Sequence, residues 1–325
     1  MTMLNIDTIL SISSEAEFEA CAIELFRYQS EHCEPYRRYI ELLDINPCDV
    51  QKIEDIPFMP IRLFKSTEVY CGTEAPEITF TSSNTGSTVA SRHMMASLEA
   101  YRKTFTATFN EFYGDPRKWS IYGLLPNYLE REGSSLVYMV DTLIRECGSG
   151  GFYLNDYERL ITDMEADPKP KILLGVSYAL WDVAEQYASK LTNTIIMETG
   201  GMKGRRKELS KSELHAILTT GFGVEQIHSE YGMAELTSQA YSEGGGIFRS
   251  PKWMRIMVRD VNDPFDHTPA GGRGGIDIID LANLSSCAFI QTEDMGRLHA
   301  DGSFSIEGRI TGSDIRGCNL LVHNL

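Results

Sequence analysis

Apolar positions near the start of the chain recur at helical spacing. Phe18, Ala22, Leu25 and Phe26 fall on one face, and Pro35 is placed to open a second helix carrying Tyr36, Tyr39, Ile40 and Leu43. From Glu77 onward the pattern changes to short apolar runs separated by helical periods. Strands are expected at 78–80, 121–125, 172–176 and 194–197, with helices near 91–112, 134–145, 178–190 and 210–220 between them. Strands alternating with helices build a parallel sheet, so the fold class is α/β. After about residue 240, short strands at 253–259, 275–280, 287–292 and 297–300 are separated by Gly, Asp, Pro and Asn clusters, which predicts a smaller, mostly antiparallel region. The glycine runs at 244–246 and 271–275 read as turns or mobile loops. The organisation expected is a helical N-terminal segment packed on the core (1–76), a parallel α/β core with the candidate ligand site (77–240), and a β-rich subdomain with a C-terminal tail (241–325).

Composition narrows what such a fold can do. With 325 residues, 42% of them hydrophobic, the chain can bury a substantial core, and disorder is not expected. A formal charge of -16 repels polyanions and argues against nucleic acid or an anionic membrane as partner. A bound nucleotide would need local donors. No Lys or Arg precedes the short apolar stretch at the N-terminus, so it does not read as a secretory signal, and no stretch reaches transmembrane length. The seven cysteines are scattered without Cys-x-x-Cys spacing, which suggests neither a disulfide framework nor zinc, and points to a cytoplasmic location.

The densest chemical signal is the Thr-Phe-Thr-Ser-Ser-Asn-Thr-Gly-Ser-Thr run at 79–88. Hydroxyls at Thr81, Ser82, Ser83, Thr85 and Ser87 surround Gly86, whose freedom to turn lets backbone N–H groups converge on an anion. A helix opening at Ser91 would aim its dipole at the same place. The run lacks the Gly-Lys-Ser/Thr of a Walker A loop, and by itself it reads more simply as a solvated turn.

Further segments carry chemistry. Ile-His-Ser-Glu-Tyr-Gly-Met-Ala-Glu at 227–235 ends a strand with a Tyr-Gly turn, and ligands in open parallel sheets sit at the carboxyl ends of strands. Glu235 is a candidate magnesium ligand, because Mg²⁺ takes one or two carboxylates together with substrate phosphates; the plainer alternative is a helix-start glutamate favoured by the dipole. In 198–206, Gly200 and Gly201 permit close approach of a ring or ribose, and Lys203, Arg205 and Arg206 supply positive charge, or simply solvate a loop. Asp294 offers two acceptors to a pair of sugar hydroxyls, and Arg309 offers a guanidinium in the same β region. His93, His228 and His267 lack any spacing that links them to a metal or a nucleophile and read as structural or exposed.

Taken in order, the hydroxyl loop, Gly-Gly, Tyr-Gly-x-x-Glu, Thr-Glu-Asp and Gly-Arg resemble the successive core motifs of the acyl-adenylate-forming enzymes. From about Phe58 to its end the chain is most similar, within that superfamily, to the acyl-protein synthetases of bacterial luminescence systems, the long-chain fatty acid:luciferin-component ligases. Ser-Ser-Asn-Thr-Gly-Ser, Ser-Glu-Tyr-Gly-Met-Ala-Glu and Gly-Arg-Ile-Thr-Gly-Ser-Asp-Ile-Arg-Gly-Cys carry that resemblance. It implies an adenylate-forming α/β fold in which Ser82, Ser83, Thr85, Gly86 and Ser87 cradle the phosphates of ATP, Glu235 holds Mg²⁺, Asp294 and Arg309 grip the ribose, and Gly200, Gly201 and Tyr231 border the adenosine and acyl pockets. Two departures stand out: the loop lacks the lysine that usually ends it, and with only 16 residues after Arg309 no mobile C-terminal domain is expected.

The resemblance further implies that an acyl group passes from the adenylate to a cysteine near the C-terminus, here Cys318, with Arg316 and Arg309 favouring its thiolate. A lone cysteine is also commonly a small buried hydrophobe. The implied activity is ATP- and Mg²⁺-dependent activation of a carboxylic, most simply fatty, acid to acyl-AMP, followed by transfer to a protein thiol. An acyl carrier protein or an acyl reductase is the implied partner. An acyl- or aryl-CoA ligase of the phenylacetate type and a catalytically silent adenylate- or acyl-binding module are the alternatives.

Overall fold

In a computed structural model that describes residues 4–82, 89–126, 133–187, 190–202, 205–207, 209–268 and 271–310, the N-terminal helices form where apolar spacing puts them. Asn5 caps α1 (Ile6–Leu10), and a reciprocal Ser14–Glu17 capping box starts α2 (Glu15–His32), which buries Phe18, Ala22, Leu25 and Phe26. Pro35 lies in the first turn of α3 (Glu34–Leu42), whose Tyr36 donates its hydroxyl to the Pro57 carbonyl at 2.6 Å. A two-residue strand, β1 (Met59–Pro60), and a single-turn α4 (Leu63–Ser66) follow.

The hydroxyl run begins on a hairpin strand. β2 (Ile78–Thr81) pairs antiparallel with β3 (Arg92–Met95), Thr81 opposite Arg92. This corrects the helix expected over 91–112. Ser91, His93 and Met95 are buried while Arg92 and Met94 are partly exposed, a period of two that a helical count over a longer window hides. The helix α5 (Leu98–Tyr113) begins only after Ser97, whose side chain caps Ala100 N–H, so no helix N-terminus follows the run directly.

The parallel α/β part then unfolds in alternation: β4 (Ser120–Leu124), α6 (Ser135–Cys147), β5 (Gly150–Phe152), α7 (Tyr157–Ala166), β6 (Lys171–Val176), α8 (Ser177–Gln186), β7 (Thr194–Thr199), α9 (Lys211–Phe222) and β8 (Ile227–Tyr231), closed by β9 (Ala240–Ser242). Their order is β5-β4-β6-β7-β8-β9, parallel except for β9. β6 and β8 are buried along their whole length, as strands covered on both faces must be.

A second sheet holds β10 (Ile247–Phe248), β11 (Met254–Arg259), β12 (Arg273–Asp280), β13 (Phe289–Leu298) and β14 (Phe304–Arg309) in the order β10-β14-β13-β12-β11, antiparallel, with β1 alongside β13 in parallel. The separate strands expected at 287–292 and 297–300 are one continuous strand with an irregularity in the middle, and the second half of the 271–275 glycine run is strand rather than turn. The polar Thr292-Glu293-Asp294 triplet broke the apolar pattern without breaking the strand.

Two apolar cores result. One joins the N-terminal helices to the antiparallel sheet, where Phe26 and Tyr36 pack against Phe289 at centroid distances of 6.0 and 6.2 Å. The other fills the parallel sheet and its helices. Tyr231 belongs to the first core and Ile227, at the other end of the same strand, to the second, so the carboxyl end of β8 lies on the seam between them. Crevices outside strand carboxyl ends are where α/β sheets hold ligands. Among the described residues no helix is long and apolar enough to cross a membrane.

Candidate active site

At the seam, Tyr231 packs its ring on Phe248 and Phe304 (centroids 5.8 and 5.7 Å) and donates its hydroxyl to Asp294 Oδ2 at 2.8 Å. Asp294 lies opposite Arg309 in the β13–β14 ladder, with Arg309 Nε 3.4 Å from Asp294 Oδ1. The neighbouring Glu293 also reaches Arg309, accepting from Nη2 at 3.2 Å. Consecutive residues of a regular strand point to opposite faces, so two adjacent carboxylates on one guanidinium require a distortion. The register supplies it: β12 advances two residues from Asp277 to Gly275 while β13 advances four from Gln291 to Met295.

That distortion is fixed from below. Buried Arg259 pairs with Asp277 and donates to the carbonyls of Ile276 (3.0 Å) and Thr292 (2.6 Å), while Thr292 Oγ1 donates to Ile276 O (2.6 Å) and accepts from Asp294 N–H (3.1 Å). The Arg259 guanidinium passes so close to Gly275 that a Cβ there would sit 2.5 Å from Arg259 Cζ. Arg309 itself is 9% exposed, and its Nη1 has no hydrogen-bond partner among the described residues. An orphaned, buried guanidinium nitrogen beside a carboxylate suits the ribose and phosphate oxygens of a nucleotide.

Glu235, four residues beyond Tyr231, is fully buried. The turn that carries it is held on several sides. Asn283 Nδ2 donates to the carbonyls of Glu235 (3.1 Å) and Cys287 (2.9 Å), and Asp280 accepts from Thr237 N–H (2.8 Å), Ser238 N–H (2.9 Å) and Ser238 Oγ (2.7 Å). His93 sits between Ala234 O (2.7 Å from Nδ1) and Asn283 Oδ1 (2.9 Å from Nε2). Both ring nitrogens face oxygen, an arrangement that favours the imidazolium, yet burial outweighs it and lowers the His93 pKa. Because His93 is on β3, it ties the hairpin bearing the hydroxyl run to the Glu235 turn.

At the base of that run Ser82 N–H donates to Ser91 O at 3.1 Å, and Ser91 N–H donates to Ser82 Oγ at 2.9 Å. Ser83, Thr85, Gly86 and Ser87 lie outside the described residues, as does Cys318. The structure therefore brings Tyr231, Asp294 and Arg309 into one contact, links Glu235 to the hairpin through His93, and sets Gly200 at the carboxyl end of the strand next to β8. Gly200 has φ 72°, a left-handed conformation that glycine adopts without strain, and its carbonyl accepts from Ser177 Oγ at 3.0 Å; Gly201 follows, half-buried.

Beneath this rim is a charged network that sequence reasoning missed. Glu198 is buried and accepts from Lys211 Nζ (2.5 Å), Ser229 Oγ (2.6 Å) and Ser177 Oγ (3.2 Å), with His215 Nε2 at 3.5 Å. Burial opposes its charge, but Lys211 and His215 together hold its carboxyl far below the usual range. On the other face of the sheet Glu230 accepts from Thr199, and burial, reinforced by the charge of Glu198, pushes its pKa up to about 7. His228, two residues earlier, is driven down to about 4 by burial. One signal for this network was present in the sequence: Lys211 opens a helix, where the macrodipole disfavours a cation unless a carboxylate waits nearby. Asn283 and Glu293 carried no such signal.

Among the described residues no group of three or more His, Cys, Asp or Glu side chains could hold a metal ion. A divalent cation here would have Glu235 as its single protein carboxylate and would need substrate phosphates to complete its shell.

No protein-family model matches the chain, and no curated protein matches it. Solved structures match in fold. An open conformation of 2-hydroxyisobutyryl-CoA ligase in complex with 2-HIB-AMP and CoA has a TM-score of 0.68 at 15% identity, covering 94% of this chain and 78% of that one. The chain has the fold of adenylate-forming ligases. The same ligase in its postadenylation state with 2-HIB-AMP gives 0.69 at 14% identity over 93% of this chain and 69% of the other. ATP-bound MatB from Rhodopseudomonas palustris gives 0.55 at 15% identity over 71% of this chain, which spans 47% of the length of that protein. These similarities extend to the fold; the luminescence-type branch is a finer assignment.

Proposed function

We propose that the protein activates a carboxylic acid as its acyl-AMP and passes the acyl group to a thiol. The observation that carries this reading is the contact of Tyr231 and Arg309 with Asp294 at the carboxyl end of β8, in a fold shared with ligases solved with an acyl-AMP. In the first step a carboxylate oxygen attacks the α-phosphorus of ATP, the bond to the bridging oxygen breaks, and pyrophosphate leaves. Asp294 takes the ribose hydroxyls, Arg309 donates to the nucleotide, and Tyr231 holds Asp294 in place. Ser82, Ser83, Thr85, Gly86 and Ser87 supply donors to the phosphates, and Gly200 and Gly201 let the nucleotide and acyl group approach the backbone. Glu235 would hold Mg²⁺, which when bound would supply charge neutralisation at the phosphates.

In the second step a thiolate attacks the acyl carbonyl and AMP leaves. Cys318 is the acceptor in this reading, as in the acyl-protein synthetases, with an acyl carrier protein or an acyl reductase as the downstream partner, a fatty acid as the substrate and the cytoplasm as the setting. Coenzyme A as acceptor is the second reading, favoured by the bound CoA in the 2-hydroxyisobutyryl-CoA ligase structure. Carboxylate-dependent exchange of labelled pyrophosphate into ATP across a panel of acids tests the first step; a flat result across the panel would leave a catalytically silent binding module. Mass spectrometry after incubation with ATP and the active acid tests the second. Acyl label lost in Cys318→Ser supports self-acylation, whereas label retained there excludes that residue, and a free thioester formed on adding CoA favours the second reading.

A further inference from the structure

The bulge that turns Asp294 toward Arg309 turns Glu293 the same way, and Glu293 is also met from a distant part of the chain. β1 runs parallel to β13 with Met59 opposite Ile290 and Pro60 opposite Gln291, a register continued by the Ile61 N–H to Gln291 O hydrogen bond of 3.0 Å. Two residues beyond the Pro60–Gln291 pair, in the turn after β1, Arg62 Nε forms an ion pair with Glu293 Oε1. Glu293 Oε2 accepts from Arg309 Nη2 at 3.2 Å, so each oxygen of one carboxylate serves a different arginine. Glu293 is only 10% exposed, Arg309 9% and Arg62 60%.

From this we propose that Glu293 is a positioning residue for the nucleotide site, anchored by Arg62, which fixes the Arg309 guanidinium so that its remaining donors are presented to the ligand. The inference rests on the function proposed above. Its physical basis is geometric and electrostatic. A guanidinium offers five donors in a rigid plane, and engaging Nη2 sets that plane relative to Asp294. Charge matters equally. Asp294 and Arg309 alone are neutral; adding Glu293 would leave a net negative site facing a polyanion, and Arg62 restores neutrality.

The experiment uses the full chain. In pyrophosphate exchange, Glu293→Gln is expected to raise KM for ATP about fivefold with kcat changed by less than about twofold, since the lost charge-assisted hydrogen bond orients a binding group rather than a reacting one. Glu293→Asp should recover part of the loss, and Arg62→Ala should raise KM about twofold. KM unchanged in Glu293→Gln, beside an active parent, overturns the proposal, as does a kcat loss with unchanged KM. A parent that exchanges with no acid would sink the functional reading instead. The positioning contact is then read from melting temperatures: non-additive shifts for Glu293→Gln combined with Arg309→Lys support it, and additive shifts overturn it.

Discussion

Tyr231 and Asp294 are joined by a 2.8 Å hydrogen bond that crosses from the carboxyl end of a parallel strand to a bulge in the antiparallel sheet. This bond is the direct link between the two halves of the candidate site. Removing the hydroxyl in Tyr231→Phe is expected to lower stability by about 1.5–3 kcal/mol, the range for a hydrogen bond to a charged group. Urea unfolding would report it as a lower midpoint with the same slope, and an unshifted midpoint would mean that this bond adds nothing to the joint between the two sheets.

Glu235 carries the metal assignment in the proposed function. Replacing it with Gln keeps the size and removes the charge, so exchange activity should fall more than about tenfold, or at least about 1.4 kcal/mol of barrier. Raising Mg²⁺ should recover part of that loss if the carboxylate binds the ion. Unchanged activity would remove Glu235 from the chemistry and leave it as a buried structural acid.

Half-buried Lys211 and buried Glu198 form an ion pair whose loss should be costly on one side and mild on both. Lys211→Met strands a carboxylate among Ser177, Ser229 and His215, and is expected to destabilise by about 3–5 kcal/mol. Adding Glu198→Gln removes the stranded charge and should restore most of that loss. Thermal or urea unfolding of the two variants checks the order; a double variant as unstable as Lys211→Met alone would show that packing of the lysine stem, and not charge, sets the cost.

How legible this was in the sequence differs by element. The strand ending in Thr199 and the helix that follows it were legible from apolar periods, whereas the polar strand ending in Tyr231 was legible only from its Tyr-Gly turn. The hairpin strand Arg92–Met95 was hidden because four alternating residues beside a long helical pattern are absorbed into it. At the site, Tyr231, Asp294 and Arg309 were legible as motif residues far apart in sequence, and the contact among them depends on a bulge that no local pattern announces. Glu293 was invisible for the same reason: in a regular strand it would face away from Arg309. Arg62 required knowing that β1 pairs with a strand 230 positions later.

Glu230 and His228 share one face of β8 and titrate in opposite senses. The Glu230 carboxyl moves from an ordinary 4.5 to about 7, so between these values the native state holds a proton that the unfolded chain has released, and stability falls as pH rises. His228 moves from 6.5 to about 4, so in that interval the unfolded chain binds the extra proton, and stability rises with pH. Each slope approaches about 1.4 kcal/mol per pH unit at most, and they oppose each other in the overlap from 4.5 to 6.5. Glu230→Gln should therefore make stability climb more steeply with pH than in the parent between 4.5 and 7, and His228→Gln should make it fall relative to the parent between 4 and 6.5. Differences in unfolding free energy between parent and variant, measured across that interval, isolate the two groups from other carboxylates. Difference curves that stay flat for both variants would mean that neither side chain changes its proton affinity on folding.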